Sequence, residues 1–270
     1  MSSELRLDGR QTEAYVSRLG FAAPPPVDAA GLRALHVAHL RRLPFENLDI
    51  HLGVLISLDV ADIVDKLTRR RRGGFCYELN GGFAALLRAL GFDVTLLEAR
   101  VYSGDGEVGI RCDHLCLRVD LDRPYLADVG FGACFAEPLQ LIPGLEQDDP
   151  NGTFEIVEAG GGHLDVVNGG SAQYRFDLAP RRLDEFAAGC EYHQRSPASH
   201  FTQNTVCSLP TATGRVTVRG LTLLETDGGE RREQALLDAA ELGAVYRERF
   251  GVDLDQAALG RLVAVAAAAP

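Results

Sequence analysis

A cysteine that follows two glycines and an aromatic residue, at the head of a segment with helical periodicity, is placed to act as a nucleophile. The run is Arg72-Gly73-Gly74-Phe75-Cys76-Tyr77-Glu78-Leu79-Asn80. The glycines let substrate and backbone approach closely. Amides at a helix N-terminus are unpaired and carry partial positive charge, which favours the thiolate, the reactive form of cysteine. This placement predicts alkylation of Cys76 well below the ordinary thiol pKa of about 8.5. The competing reading, a small buried cysteine, fits the other five: Cys112, Cys116, Cys134, Cys190 and Cys207.

A thiolate nucleophile benefits from a histidine partner. Of the seven histidines, His36 and His39 fall on a helical segment and read as packed or exposed there. His114 opens a stretch in which Leu115, Leu117 and Val119 alternate with His114, Cys116 and Arg118, the pattern of a half-buried strand. Asp128 follows on the return strand, in Ala127-Asp128-Val129-Gly130. A carboxylate facing an imidazole fixes its tautomer and stabilises its cation. Register decides whether the two meet. An odd turn that sets Val119 opposite Tyr125 makes His114 the diagonal neighbour of Asp128, whereas a two-residue turn puts Asp128 on the wrong face.

Cys112, His114 and Cys116, with Cys134 nearby, could instead hold zinc. The spacing lacks paired-cysteine knuckles, and ligands two apart on one strand suit a tetrahedron poorly. Arg72 could pair with a buried acid and hold the loop before Cys76. Glu46, expected at the end of the first long helix, is the candidate partner. Such a pair mainly specifies geometry.

The elements that must position these groups change character along the chain. Asp28 can cap a helix in which Leu32, Leu35, His36, His39, Leu40 and Leu43 recur at helical spacing, ended by Pro44. A second helix carries Val60, Ile63, Val64 and Leu67. A third begins near Cys76 and stops at Gly91. Strands are expected at 94–102, 114–119, 125–129, 154–157, 164–167 and 174–178. A short helical stretch follows up to Cys190, then strands at 201–209 and 215–224, and a last helix over 233–250. Helices, then strands, then strand plus helix indicate an α+β fold with an antiparallel sheet or barrel.

The chain has 270 residues, 46% of them hydrophobic and 24% charged, which suits a globular protein. The net charge of −11 disfavours nucleic-acid binding. Of 27 basic residues, only Lys66 is lysine. No apolar run reaches the ~18 residues that cross a bilayer, and the polar N-terminus does not read as a signal peptide. A cytoplasmic location and free thiols are therefore expected.

Four motifs together resemble the arylamine N-acetyltransferases, in the family's order and over nearly the whole chain. They are the run around Cys76, Pro44-Phe45-Glu46-Asn47-Leu48, Asp128-Val129-Gly130-Phe131-Gly132 and Ser196-Pro197-Ala198-Ser199-His200-Phe201. The resemblance implies a fold in three parts, related to the papain-like and transglutaminase-like cysteine enzymes. They are a helical bundle (1–92), an antiparallel β-barrel (93–205) and an α/β lid (206–270). It implies a Cys76, His114, Asp128 triad and ping-pong chemistry, with acetyl-CoA as donor, an S-acetyl-cysteine intermediate and no metal. The acceptor would be an arylamine, arylhydroxylamine or hydrazine, as in xenobiotic metabolism.

It further implies that Phe45, Phe131 and Phe201 line the acceptor pocket. Asp113, Gly130, Phe131, Gly132 and Tyr192 would lie near the coenzyme. Two positions depart from the pattern. Asp113 stands where the family often has Thr or Ser, and Ala198 replaces a hydroxyl residue. These departures leave room for an alternative: an amide synthase that takes a polyketide acyl chain from an acyl carrier protein and closes a lactam. A cysteine hydrolase is a third reading. The resemblance is to the bacterial type, because the long eukaryotic C-terminal extension is missing.

Overall fold

A computed structural model describes residues 6–268. The helical layer comes first: α1 (Gly9–Arg18), α2 (Ala29–Arg42), α3 (Leu48–Leu52), α4 (Val60–Thr68) and α5 (Cys76–Leu90). Asp28 accepts from the Gly31 amide at 2.8 Å and starts α2, and Gly91 ends α5 with φ of 101°. Glu46 does not end a helix as expected. α2 stops at Arg42, and Phe45–Glu46 form a short strand, β1. Pro44 provides the break, since it cannot continue the helix.

The barrel is built from β2 (Asp93–Val101), β3 (His114–Asp120), β4 (Pro124–Ala127), β5 (Leu139–Gln140), β6 (Gln147–Asp149), β7 (Gly152–Gly160), β8 (His163–Asn168) and β9 (Ser171–Asp177). They form one antiparallel sheet in the order β5-β4-β3-β2-β9-β8-β7-β6. β3 is not half-buried as its alternation suggested. Leu115, Leu117 and Val119 join the core beneath α5, while Cys116 points into a second core with Leu97, Leu126 and Tyr174. A strand sandwiched between two cores is buried on both faces.

A 3₁₀ turn (Leu183–Phe186), α6 (Ala187–Arg195) and α7 (His200–Gln203) follow, and the 3₁₀ turn packs back against α5. The strand expected over 201–209 begins only at β10 (Val206–Pro210), because Ser199 accepts from the Phe201 amide and starts α7. β10 pairs with β1 on one side and with β11 (Gly214–Arg219) on the other. β12 (Thr222–Asp227) and β13 (Glu230–Ala235) complete the sheet.

The final helix expected over 233–250 is also corrected. Glu230–Ala235 is an edge strand, and its exposed side chains, charged from Glu230 to Glu233, suit an edge that must not pair further. Helix α8 (Ala239–Val245) starts after Asp238, whose carboxylate caps Ala240 and Glu241, and continues into a π-helical turn at Tyr246–Phe250. A further helix, α9 (Gln256–Ala268), packs on α3 and α8. Among the described residues, no helix is long and apolar enough to cross a membrane.

Candidate active site

Cys76 is the first residue of α5, behind the extended Phe75. The loop before it is fixed from below by buried charges. Arg72 meets Glu46 at 2.8 Å and Asp49 at 2.9 Å. Lys66 meets Asp49 at 2.8 Å and Glu78 at 2.7 Å. The free oxygen of Glu46 accepts from the Leu48 amide, and that of Glu78 from the Phe75 amide. Lys66 and Arg72 hold the Asp49 carboxyl below its ordinary value against burial, whereas burial among the other carboxylates raises that of Glu78. Gly73 is required by the protein itself: a Cβ there would lie 1.8 Å from the Pro44 carbonyl oxygen.

β3 and β4 are joined by Leu121, Asp122 and Arg123, with Val119 opposite Tyr125 and Leu117 opposite Ala127. This odd turn brings His114 Nε2 to 2.7 Å from Asp128 Oδ2. Asn80 Nδ2 and the Gly130 amide donate to Asp128 Oδ1 at 2.8 and 2.9 Å. Burial opposes ionisation of Asp128, but the charge of His114 and these three hydrogen bonds hold its carboxyl below the usual range.

Cys76 adjoins the same hairpin. A Cβ on Gly130 would sit 2.7 Å from Cys76 Cα, so only glycine lets the Asp128 loop approach α5 this closely. The backbone of Leu115, the residue after His114, favours the ionised form of the Cys76 sulfur.

The thiol itself departs from expectation. Cys76 is 3% exposed, and burial pushes its pKa well above the ordinary value, reinforced by the charges of Asp113, Cys190 and Asp128. The Leu115 backbone acts the other way but does not win. The helix N-terminus alone therefore does not supply a thiolate; the sulfur needs a proton acceptor.

The aromatic positions surround this centre. Phe131 meets the His114 ring edge-on at 5.4 Å. Phe201 lies 6.0 Å from Phe45 and 5.9 Å from Phe75, and Phe45 covers Gly132. Tyr192 is half-buried on α6 beside His193. Asp113 spends both carboxylate oxygens inside the protein, on the Val101 amide and on His193, each at 2.9 Å. A cleft of about 730 Å³ between Leu55, Leu58, Leu183 and Cys190 is not lined by Cys76.

Several participants carry no motif role in the sequence reading. Asn80 also donates to the Leu115 carbonyl at 2.6 Å and accepts from Val129 at 2.9 Å, tying α5 to both strands. Its spacing of four from Cys76, on one helix face, was the available signal. His36 accepts from the Asp128 amide at 3.1 Å and bonds the Ala136 carbonyl at 3.0 Å. In the zinc alternative, Cys112 lies before β3 with φ of 53° and does not share its face, and no metal-holding group is found among the described residues.

A thiol at a helix head, packed against a hairpin with a histidine–carboxylate pair, on this α+β frame, suits the class of cysteine-nucleophile enzymes, acyl transferases and hydrolases alike. The model of the N-acetyltransferase family matches residues 28–259. The chain is 34% identical over 253 residues to the arylamine N-acetyltransferase of Escherichia coli K12, covering 91% of this chain and 90% of that protein. The arylamine N-acetyltransferase structure from Salmonella typhimurium superposes with a TM-score of 0.87 at 30% identity, covering 99% of each chain. The Mycobacterium marinum arylamine N-acetyltransferase, solved in complex with CoA, gives 0.85 at 29% identity, covering 94% of this chain and 99% of that one. This chain belongs to the arylamine N-acetyltransferase family. These relatives lend no support to the amide-synthase alternative.

Proposed function

We propose that this chain moves an acetyl group from acetyl-CoA to an aromatic amine, arylhydroxylamine or hydrazine through an S-acetyl Cys76 intermediate. One observation carries the reading: the loop whose Asp128 carboxylate meets His114 at 2.7 Å packs so closely on the head of α5 that a Cβ on Gly130 would lie 2.7 Å from Cys76 Cα. With Nε2 engaged by Asp128, Nδ1 is the ring nitrogen left for the thiol.

The raised thiol pKa gives the histidine its task. His114 takes the Cys76 proton, so sulfur and ring form a neutral pair of opposite charges, and ionised Asp128 stabilises the imidazolium. The thiolate attacks the thioester carbonyl. The Cys76 and Tyr77 amides, the first two of α5 and without an acceptor inside the helix, would stabilise the oxyanion. Coenzyme A leaves with the proton from His114. The amine then attacks the acetyl-cysteine, passes its proton to His114 and frees the sulfur. Phe45, Phe131 and Phe201 offer an aromatic acceptor apolar surface. The coenzyme would pass Gly130, Gly132 and Tyr192; the relative solved in complex with CoA supports acetyl-CoA as the donor.

Intact mass after mixing with acetyl-CoA tests this. One acetyl group should be gained, be absent in Cys76→Ala, and be discharged by aniline. An unmodified Cys76 overturns the reading.

A further inference from the structure

A second buried acid–base chain lies beside the first. His193, on α6, is 3% exposed. Its Nε2 lies 2.9 Å from Asp113 Oδ1 and its Nδ1 3.0 Å from Ser199 Oγ. Ser199 Oγ accepts from the Phe201 amide at 3.3 Å. The partners assign the donors: Phe201 N–H to Ser199, Ser199 O–H to His193 Nδ1, His193 Nε2–H to Asp113. Burial opposes ionisation of Asp113, but hydrogen bonds from His193 and the Val101 amide hold its carboxyl below the ordinary range.

The two ends of this chain sit at functional places. Asp113 directly precedes His114, and its backbone oxygen accepts from Tyr77, the residue after Cys76, at 3.0 Å. Phe201 faces Phe45 and Phe75, and the His193 ring meets it edge-on at 5.1 Å. Its helix, α7, has only four residues and little packing of its own. It is held at its far end by Asn47, which donates to the carbonyls of Phe201 and Asn204 at 3.0 and 2.8 Å. At its near end Thr202 and Gln203 reach back to the Ser196 and Pro197 carbonyls at 2.8 and 3.2 Å, and the Phe201 amide itself is held through Ser199 and His193.

We propose that Asp113, His193 and Ser199 form a positioning relay that sets Phe201 for aromatic acceptors, so that this relay, and not the acetylation machinery, tunes selectivity among nucleophiles. This rests on the acetyl-transfer reading. It also accounts for Asp113: the carboxylate that departs from the family pattern is the anchor of His193.

The test separates the half-reactions. Cys76 is loaded by acetyl-CoA, then discharged by aniline or by hydrazine, which is too small to need the Phe201 ring. In His193→Leu, kcat/KM for aniline should fall about tenfold, as for a group misplaced by a fraction of an ångström. Loading and hydrazine discharge should stay within about twofold. Ser199→Ala should show the same selective loss, smaller, and serves if His193→Leu fails to fold. His193→Gln, which can still reach Asp113, should recover part of the aniline rate. Equal loss for both nucleophiles, or no loss for either, overturns the relay. A wild-type Cys76 that takes no acetyl group overturns the function instead.

Discussion

At the scale of single residues, the proposed mechanism divides the work unequally between the thiol and its base. The surroundings of Cys76 favour the neutral thiol: it is buried, and Asp113 and Asp128 repel a second negative charge. A group whose pKa is raised stays protonated as pH climbs through the ordinary thiol value, so without a proton acceptor Cys76 is inert at neutral pH. His114→Phe should therefore lower iodoacetamide alkylation of Cys76 at pH 7 by about a hundredfold, the scale of lost general-base assistance. Its remaining rate should rise only well above pH 9. Alkylation at pH 7 that is indifferent to His114 would show that the thiolate is made some other way. Cys76, His114 and Asp128 were legible as types at suggestive spacing. The resistance of the sulfur was not, because it comes from burial and from Asp113, which reaches the site only through the β2–β3 loop.

At the scale of elements, what could be read depended on whether the pattern was local. α2, α4 and α5 announce themselves by apolar spacing, caps and Gly91. The β3–β4 register follows from one turn. The misread segments are those decided elsewhere: Phe201 is helical because Ser199 and Asn47 hold α7, and Glu230–Ala235 is a strand because β12 offers it an edge. Lys66 belongs here too. Nothing local marks it as buried, yet it ties α4 to α5 through Glu78 and to α3 through Asp49. Lys66→Met leaves those two carboxylates short of a cation. The loss should be about 3–5 kcal/mol, the scale for breaking a buried charge pair, read as a lower urea midpoint. An unchanged midpoint would mean that Glu78 takes up a proton and the network dispenses with the lysine.

At the scale of the whole molecule, the free thiols make the fold sensitive to alkali. Cys76, Cys116, Cys134, Cys190 and Cys207 are all buried, spread over the three cores and the site. Burial raises each above its ordinary value, Cys190 to about 12. Below the unfolded thiol pKa both states keep the proton and stability is indifferent to these groups. Above it the unfolded chain releases protons that the folded chain retains, so folding loses about 1.4 kcal/mol per pH unit for each buried thiol. Between pH 8.5 and 10 these groups act together against the folded state, whose margin in an ordinary domain is only about 5–15 kcal/mol. The melting temperature should therefore be nearly level from pH 7 to 8.5 and drop steeply by pH 10. Replacing Cys207, which sits far along the chain from the catalytic hairpin, by Ala should flatten that slope by about a fifth whatever it does to the plateau. A melting temperature that stays level to pH 10 would show that the cores let these sulfurs ionise in place.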